Sequence, residues 1–409
     1  MMFIKLKVGM NMKQAKRLQK LPEQFFSKLV QDVNQKIREG VDVINLGQGN
    51  PDQPTPEHIV KALARAAEDP QNHKYSLFRG KPELKQAAAH FYQKEYGVSL
   101  DPETEIAILF GSKAGLVELP LCFLNEGDLM LLPDPGYPDY LSGISLADAR
   151  FETMPLREEN QFLPDYREID AESLEQAKLM FLNYPNNPTG AAATSTFFDE
   201  TIQVARENEI GVVHDFAYGA IGFEAEKPVS FLMREGAKDV GIELYTLSKT
   251  YNMAGWRVGF AAGNREMIEA INLLQDHLYV SLFPAIQDAA CAALLDSGEA
   301  VRKQNDLYRS RRDAFFNAAQ KIGWQGSAPA GSFFAWMKVP AGFTSSGFAK
   351  FLLEEAGVAV ADGSGFGTFG EGYVRIGLLV SEARLEEAVR RIGELAIFQK
   401  PEENFIKSY

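Results

Sequence analysis

Cysteine is nearly missing from this chain. Cys122 and Cys291 are the only two in 409 residues, and they are far apart with no Cys-x-x-Cys spacing, which excludes a disulfide framework and a cysteine zinc site. Both read as small buried apolar residues. Histidine is scarce too: His58, His73, His90, His214 and His277 show no metal-ligand spacing, so no metal is expected. No uninterrupted apolar run approaches the roughly 20 residues a membrane-spanning helix requires. Positive charge is in deficit, since 42 Lys and Arg against 55 Asp and Glu leave a net charge of −13. That balance repels phosphate backbones and anionic lipid head groups, so neither nucleic acid nor membrane is an expected partner. Internal repeats and low-complexity tracts are also lacking. What remains, 45% apolar and 24% charged, is an ordinary globular composition, and a cytoplasmic location fits it.

The one basic cluster lies at the start. Lys5, Lys7, Lys13, Lys16, Arg17 and Lys20 precede the first acid, Glu23, without an apolar stretch of signal-peptide length. Residues 1–22 are expected to be a leader, either disordered or the product of a start codon set too far upstream among Met1, Met2, Met10 and Met12.

Beyond it, an amphipathic helix is predicted over 25–38, then a short strand over 41–46 that runs into GQGNPDQPTP, a loop by its Gly and Pro content. Helical patterns follow at 57–68 and 83–96. Apolar runs of strand length at 105–110, 129–132, 178–183, 210–214, 242–247 and 258–261 alternate with helix-length segments such as 114–123 and 195–208. Alternation of this kind predicts an α/β fold whose large domain is a mainly parallel, doubly wound sheet. Ligands of such sheets sit at the carboxyl ends of the strands. A helical rod over 299–322 carries Val301, Tyr308, Phe315 and Ile322 on one stripe and is expected to link two domains. Strand-like 333–339 and 373–379 with helix-like 347–355 and 382–395 then make a smaller α+β domain. The expected division is an arm at 23–50 joining the small domain, a large domain at 51–300 and the small domain at 301–400.

Chemistry gathers at the predicted strand ends. Ser248-Lys249 closes one strand, with Arg257 following in SKTYNMAGWRVGF. A lysine in a sheet interior is costly as an ammonium, because burial disfavours its charge, and covalent attachment to an aldehyde removes that difficulty. Alone, it reads first as a surface lysine with a buried stem. The strand IGVVHD ends in Asp215, with Tyr218 just after. A carboxylate there can hold a heteroaromatic nitrogen protonated, although a helix N-cap uses the same residue. Asn187 lies in YPNNPTG, turn punctuation directly after a strand. Phe110-Gly111-Ser112-Lys113-Ala114 ends another strand and opens a helix, the form of a phosphate cradle and also of a plain helix start. Arg375, in a strand, is placed either to clamp a carboxylate through parallel hydrogen bonds or to make a surface ion pair. Gly365, Gly367 and Gly370 spell the dinucleotide fingerprint, but strand-like YVRIGLL follows where that fingerprint needs a helix, so they read as a turn or an active-site loop.

In order and spacing, these segments resemble the class I/II aminotransferases of the fold-type-I pyridoxal 5'-phosphate enzymes, from about residue 45 to 379. INLGQGNPDQPTP, NHKYSLFRG, PDPGYPDY, LNYPNNPTG, VVHDFAYG and TLSKTYNMAGWRVGF look most like the methionine-salvage transaminases that aminate 4-methylthio-2-oxobutyrate. The resemblance implies pyridoxal 5'-phosphate as cofactor, Lys249 as its Schiff-base and catalytic lysine, Asp215 at the pyridine nitrogen, and Tyr218 with Asn187 at the 3' oxygen. It also implies phosphate contacts from Ser248, Arg257, Ser112 and Lys113, with Tyr75 reaching in from the second subunit of a homodimer with shared sites. Tyr137 would lie against the ring, and Gly47, Asn187 and Arg375 would hold the carboxylate of the amino-acid or 2-oxo-acid substrate. Lys113 departs from the small or hydroxyl residue many relatives carry. No arginine lies between Arg265 and Arg302, which disfavours a strict dicarboxylate specialist. The same lysine and aspartate also suit a carbon-sulfur β-lyase, or an aminotransferase with an aromatic or LL-diaminopimelate-like range. A cofactor-binding regulator and a nicotinamide dehydrogenase are the remaining alternatives.

Overall fold

Strands Leu129–Asp134, Ala177–Leu182, Gly211–Asp215 and Gly241–Thr246 are almost wholly buried along their lengths in the computed structural model, which describes residues 13–223 and 227–398. Near-continuous apolar runs are what a parallel strand covered on both faces requires. These four are the centre of a seven-stranded sheet. Its order is 106–109, 259–263, 241–246, 211–215, 177–182, 129–134 and 150–155, and only 259–263 runs against its neighbours. Apolar clusters pack on both faces. The architecture is the α/β fold expected. The edge strand Arg150–Pro155 was not anticipated, because Arg150 and Phe151 are exposed and its sequence, RFETMP, holds no apolar run. Helices Tyr140–Ala147, Arg265–Leu278 and Pro284–Leu294 were likewise not individually placed.

A second core surrounds a four-stranded antiparallel sheet ordered 361–362, 373–377, 334–338, 326–327. Ile44–Asn45 pairs in parallel with Val358–Ala359, and Ile44 and Leu46 are buried in this same core. Helix Glu299–Ile322 runs between the two cores. It starts after Gly298 and stops at Gly323, both left-handed, and the Gly323 amide returns to the carbonyls of Ala319 and Gln320. Val301 packs on the first core and Phe315 and Ile322 on the second, while Tyr308 sits in a small cluster with Tyr218 and Phe333.

Of the leader, residues 13–22 are described. Lys16–Gln19 forms a short exposed helix and Lys20 pairs with Asp148, so this part is not structureless. Lys5, Lys7 and the four early methionines lie outside the described residues, as do the last two positions of the 301–400 segment. Among the described residues no helix is long and apolar enough to cross a membrane, and no group of three or more His, Cys, Asp or Glu is arranged to hold a metal.

Candidate active site

The parallel strands end, and the single antiparallel strand begins, on one edge of the large sheet. Asp215 ends its strand, Asn183 follows 177–182, Ser248 and Lys249 follow 241–246, Ser112 follows 106–109, Tyr137 follows 129–134, and Arg257 precedes 259–263. Sheet direction alone therefore brings these side chains together. They line a cavity of about 490 Å³ with Lys113, Asn187 and Tyr218, and Arg375 enters it from the small sheet.

Lys249 sits on a one-turn helix, Leu247–Thr250, capped by the Thr246 hydroxyl. Its Nζ donates to the Gly49 carbonyl at 2.8 Å. Burial, with Arg375 and Arg257 nearby, lowers its pKa to about 8, against the opposing pull of Asp215. A neutral amine is thus available near physiological pH.

Asp215 is 6% exposed. Its Oδ2 accepts from the Tyr140 hydroxyl at 3.1 Å, whereas Oδ1 is buried without a hydrogen-bond partner among the described residues. Burial pushes its pKa up to about 6, with the Tyr140 hydrogen bond working the other way. An unpartnered oxygen on a buried carboxyl is costly, and a cationic ring nitrogen at that atom would relieve the cost. Asn183 locks this corner: its Nδ2 donates to the Asp215 carbonyl at 2.7 Å and its Oδ1 accepts the Asn187 amide at 2.7 Å.

Arg375 is 1% exposed, and among the described residues no carboxylate pairs with it. It donates to Asn187 Oδ1 at 2.8 Å and to the Gly47 carbonyl at 2.9 Å, its Nε is unpartnered, and its guanidinium lies 4.1 Å from the Phe334 ring centroid and 5.1 Å from that of Phe26. A buried cation without a counter-charge costs several kcal/mol, so the arrangement favours an anionic ligand. The Gly111 region makes a second anion site. Gly111 is left-handed and caps helix Ser112–Phe123, and a Cβ on it would come within 2.6 Å of Arg257. The missing side chain at Gly111 lets the Arg257 guanidinium close on the helix start, and with Ser248 these groups form a cradle suited to an anion.

Ten of the twelve residues singled out in the sequence line this cavity: Ser112, Lys113, Tyr137, Asn187, Asp215, Tyr218, Ser248, Lys249, Arg257 and Arg375. Two do not. Tyr75 is 92% exposed, outside this chain's own cavity. Gly47 is replaced at the cavity surface by Gly49, and instead holds Arg375 from behind through its carbonyl. Lys113 lines the cavity, but its ammonium is bonded to Asp139 at 2.6 Å. The sequence reading missed Tyr140, Asn183, Phe26 and Phe334. Asn183 left a signal, a polar side chain at the last position of an apolar run.

A profile of the family "Aminotransferase class I and II" matches residues 41–392. The chain is 65% identical to the L-glutamine--4-(methylsulfanyl)-2-oxobutanoate aminotransferase of Bacillus subtilis (strain 168), over 95% of this chain and 98% of that one. It is 45% identical to an LL-diaminopimelate aminotransferase of Desulforudis audaxviator, over 94% and 98%. The solved, substrate-bound structure of BacF from Bacillus subtilis superposes with a TM-score of 0.91 at 48% identity, covering 96% of this chain and all of that one. With this match along nearly the whole length, the chain belongs to the class I and II aminotransferases, enzymes that transfer amino groups, a family that implies pyridoxal phosphate.

Proposed function

We propose that this aminotransferase uses pyridoxal 5'-phosphate to move an amino group from an amino acid to 4-methylthio-2-oxobutyrate. The observation carrying the proposal is that one cavity holds a lysine of lowered pKa, together with a buried carboxyl oxygen and a buried arginine that find no hydrogen-bonding or charged counterpart, respectively, among the described residues. The 65% identity to a relative named for that acceptor supports the substrate, and its name puts glutamine first among donors to test.

Bound pyridoxal phosphate supplies an electron sink for the electrons left when a proton departs the substrate Cα. In our reading Asp215 Oδ1 keeps the pyridine nitrogen protonated, and Tyr218 and Asn187 hold the 3' oxygen. Ser248, Arg257 and the backbone amides at Ser112 and Lys113 would hold the phosphate. Tyr137, which lines the cavity, would lie against the ring. Arg375, oriented by Asn187 and the Gly47 carbonyl, pairs with the substrate carboxylate beside Gly49. The Lys249 amine would anchor the cofactor and would accept the proton from substrate Cα. Ping-pong kinetics follow from one site serving two half-reactions.

Tyr75 fits the phosphate role only from a neighbouring subunit, so the reading includes a homodimer with shared sites. Exposed Leu77, Phe78 and Leu273 supply an apolar surface of the kind subunit interfaces bury. The division into an arm at 23–50, a large domain at 51–300 and a small domain at 301–400, and a cytoplasmic location, belong to the same proposal.

The test is a donor panel, including glutamine, glutamate, phenylalanine and LL-diaminopimelate, run against 4-methylthio-2-oxobutyrate and 2-oxoglutarate. Methionine formed in stoichiometric exchange with the donor's 2-oxo acid is expected. Turnover with 2-oxoglutarate but none with 4-methylthio-2-oxobutyrate would overturn the substrate, and pyruvate with ammonia from cystathionine would point to a β-lyase.

A further inference from the structure

Lys113 occupies the second position of the helix that opens the anion cradle, where a cation invites the assumption that it binds phosphate. Its ammonium is taken elsewhere. Asp139, 7% exposed, accepts from Lys113 Nζ at 2.6 Å and from the Tyr137 hydroxyl at 2.5 Å on the same oxygen, while its other oxygen accepts from Gln24 at 3.3 Å. Burial alone would raise the Asp139 carboxyl, yet the hydrogen bonds from Lys113 and Tyr137 hold it below the usual carboxylate range. A carboxylate at this place therefore stays charged. The Tyr137 ring meets Tyr140 edge-on at 5.7 Å, and Tyr140 in turn donates to Asp215. Asp139, Tyr137, Tyr140 and Asp215 thus form one continuous series along the cavity wall.

Resting on the functional reading above, we infer that Asp139 is a positioning residue: it fixes the Tyr137 ring over the cofactor site and withholds the Lys113 ammonium from the phosphate. The phosphate is left to Ser248, Arg257 and backbone amides. Lys113 acts as the counter-charge that makes a buried Asp139 tolerable beside an anion site. Gln24 extends the same carboxylate to the segment ahead of helix Phe25–Arg38, whose Phe26 lines the cavity.

The experiment is equilibrium titration of cofactor-free protein with pyridoxal phosphate, followed by the absorbance of the bound cofactor, for wild type, Y137F, D139A, D139N, K113M and the double variant Y137F/D139A. Loss of a hydrogen bond to a charged group predicts about a 10-fold weaker dissociation constant for D139A. D139N recovers part of it, since an amide oxygen still accepts from the phenol. The double variant is no worse than D139A, because both substitutions break the same contact, and K113M weakens binding less than D139A does. Should D139A fail to fold, the comparison of D139N with K113M carries the same test. Equal or greater loss in K113M would make Lys113 a phosphate ligand, and additive losses in the double variant would uncouple Tyr137 from Asp139; either overturns the assignment. A wild-type protein that takes up no pyridoxal phosphate overturns the functional reading itself.

Discussion

Replacing Asp215 with Asn removes a buried negative charge whose one side-chain hydrogen bond among the described residues comes from Tyr140. Without the cofactor, that charge is a burden on the fold. The carboxyl is raised from an ordinary 3.8 to about 6 by burial, so the folded protein keeps the proton over a range in which the unfolded chain has released it. Stability is therefore lost as pH rises from about 4 to about 6, and the whole deficit is present above that range. The shift corresponds to about 3 kcal/mol at pH 8. At pH 5, where the folded carboxyl is still mostly protonated, the same relation leaves roughly half of it.

The cofactor-free D215N protein should then be more stable than cofactor-free wild type, by a margin that halves between pH 8 and pH 5. Thermal or urea unfolding of the two proteins side by side measures it. A chain of this size need not unfold in two states, so the quantity to read is the difference in midpoint and its pH dependence. With pyridoxal phosphate bound the order should reverse, because the pyridine nitrogen needs the carboxylate and not the amide. A variant less stable than wild type without cofactor, or a margin independent of pH, would refute the reasoning that Asp215 is held at a cost for its ligand.

Lys249, held near a pKa of about 8 chiefly by burial, gains neutral amine as pH rises through that value, so the rate of pyridoxal phosphate capture by cofactor-free protein should climb from pH 7 to 9 and then level off; a flat profile would contradict it. A Lys249→Ala protein should lose both the visible absorbance of the covalently held cofactor and amino transfer. Arg375→Met removes the charged partner proposed for the substrate carboxylate and should raise KM for both amino acid and 2-oxo acid about 10- to 100-fold, as steady-state kinetics would register. Gly111→Ala puts a methyl group 2.6 Å from the Arg257 guanidinium at a left-handed backbone position; a cofactor dissociation constant about 10-fold weaker is expected from titration, of the order of one lost charged contact.

Much of this site was legible because the fold places its chemistry where the chain turns. A parallel sheet ends all its strands on one edge, so each apolar run that stops at Asp215, at Ser248 or just before Asn187 announces a side chain on that edge. Reading the runs amounted to reading the site. Contacts that join distant segments left no such mark. Tyr140 faces Asp215 from a helix whose sequence, YLSGISLA, suggests only apolar packing. Gly47 and Gly49 are indistinguishable as letters; the hydrogen bond from Arg375 to one carbonyl and from Lys249 to the other separates their positions.

The same distinction explains a buried network that periodicity hid entirely. His214 and Glu243 interrupt two central strands, yet both are fully buried, 2.8 Å apart. Glu243 accepts further from the Tyr92 hydroxyl, the Ser230 hydroxyl and the Phe231 amide, and His214 Nε2 lies 3.0 Å from the Tyr184 carbonyl. A buried carboxylate is tolerated only when it is so fully satisfied, and here its donors come from segments far apart in the chain. Tyr184 opens the turn that carries Asn187, and His214 directly precedes Asp215. The polar core beneath the sheet thus fixes the two strand ends on which the proposed cofactor contacts stand, so the pair bears on the geometry of the site without facing its cavity.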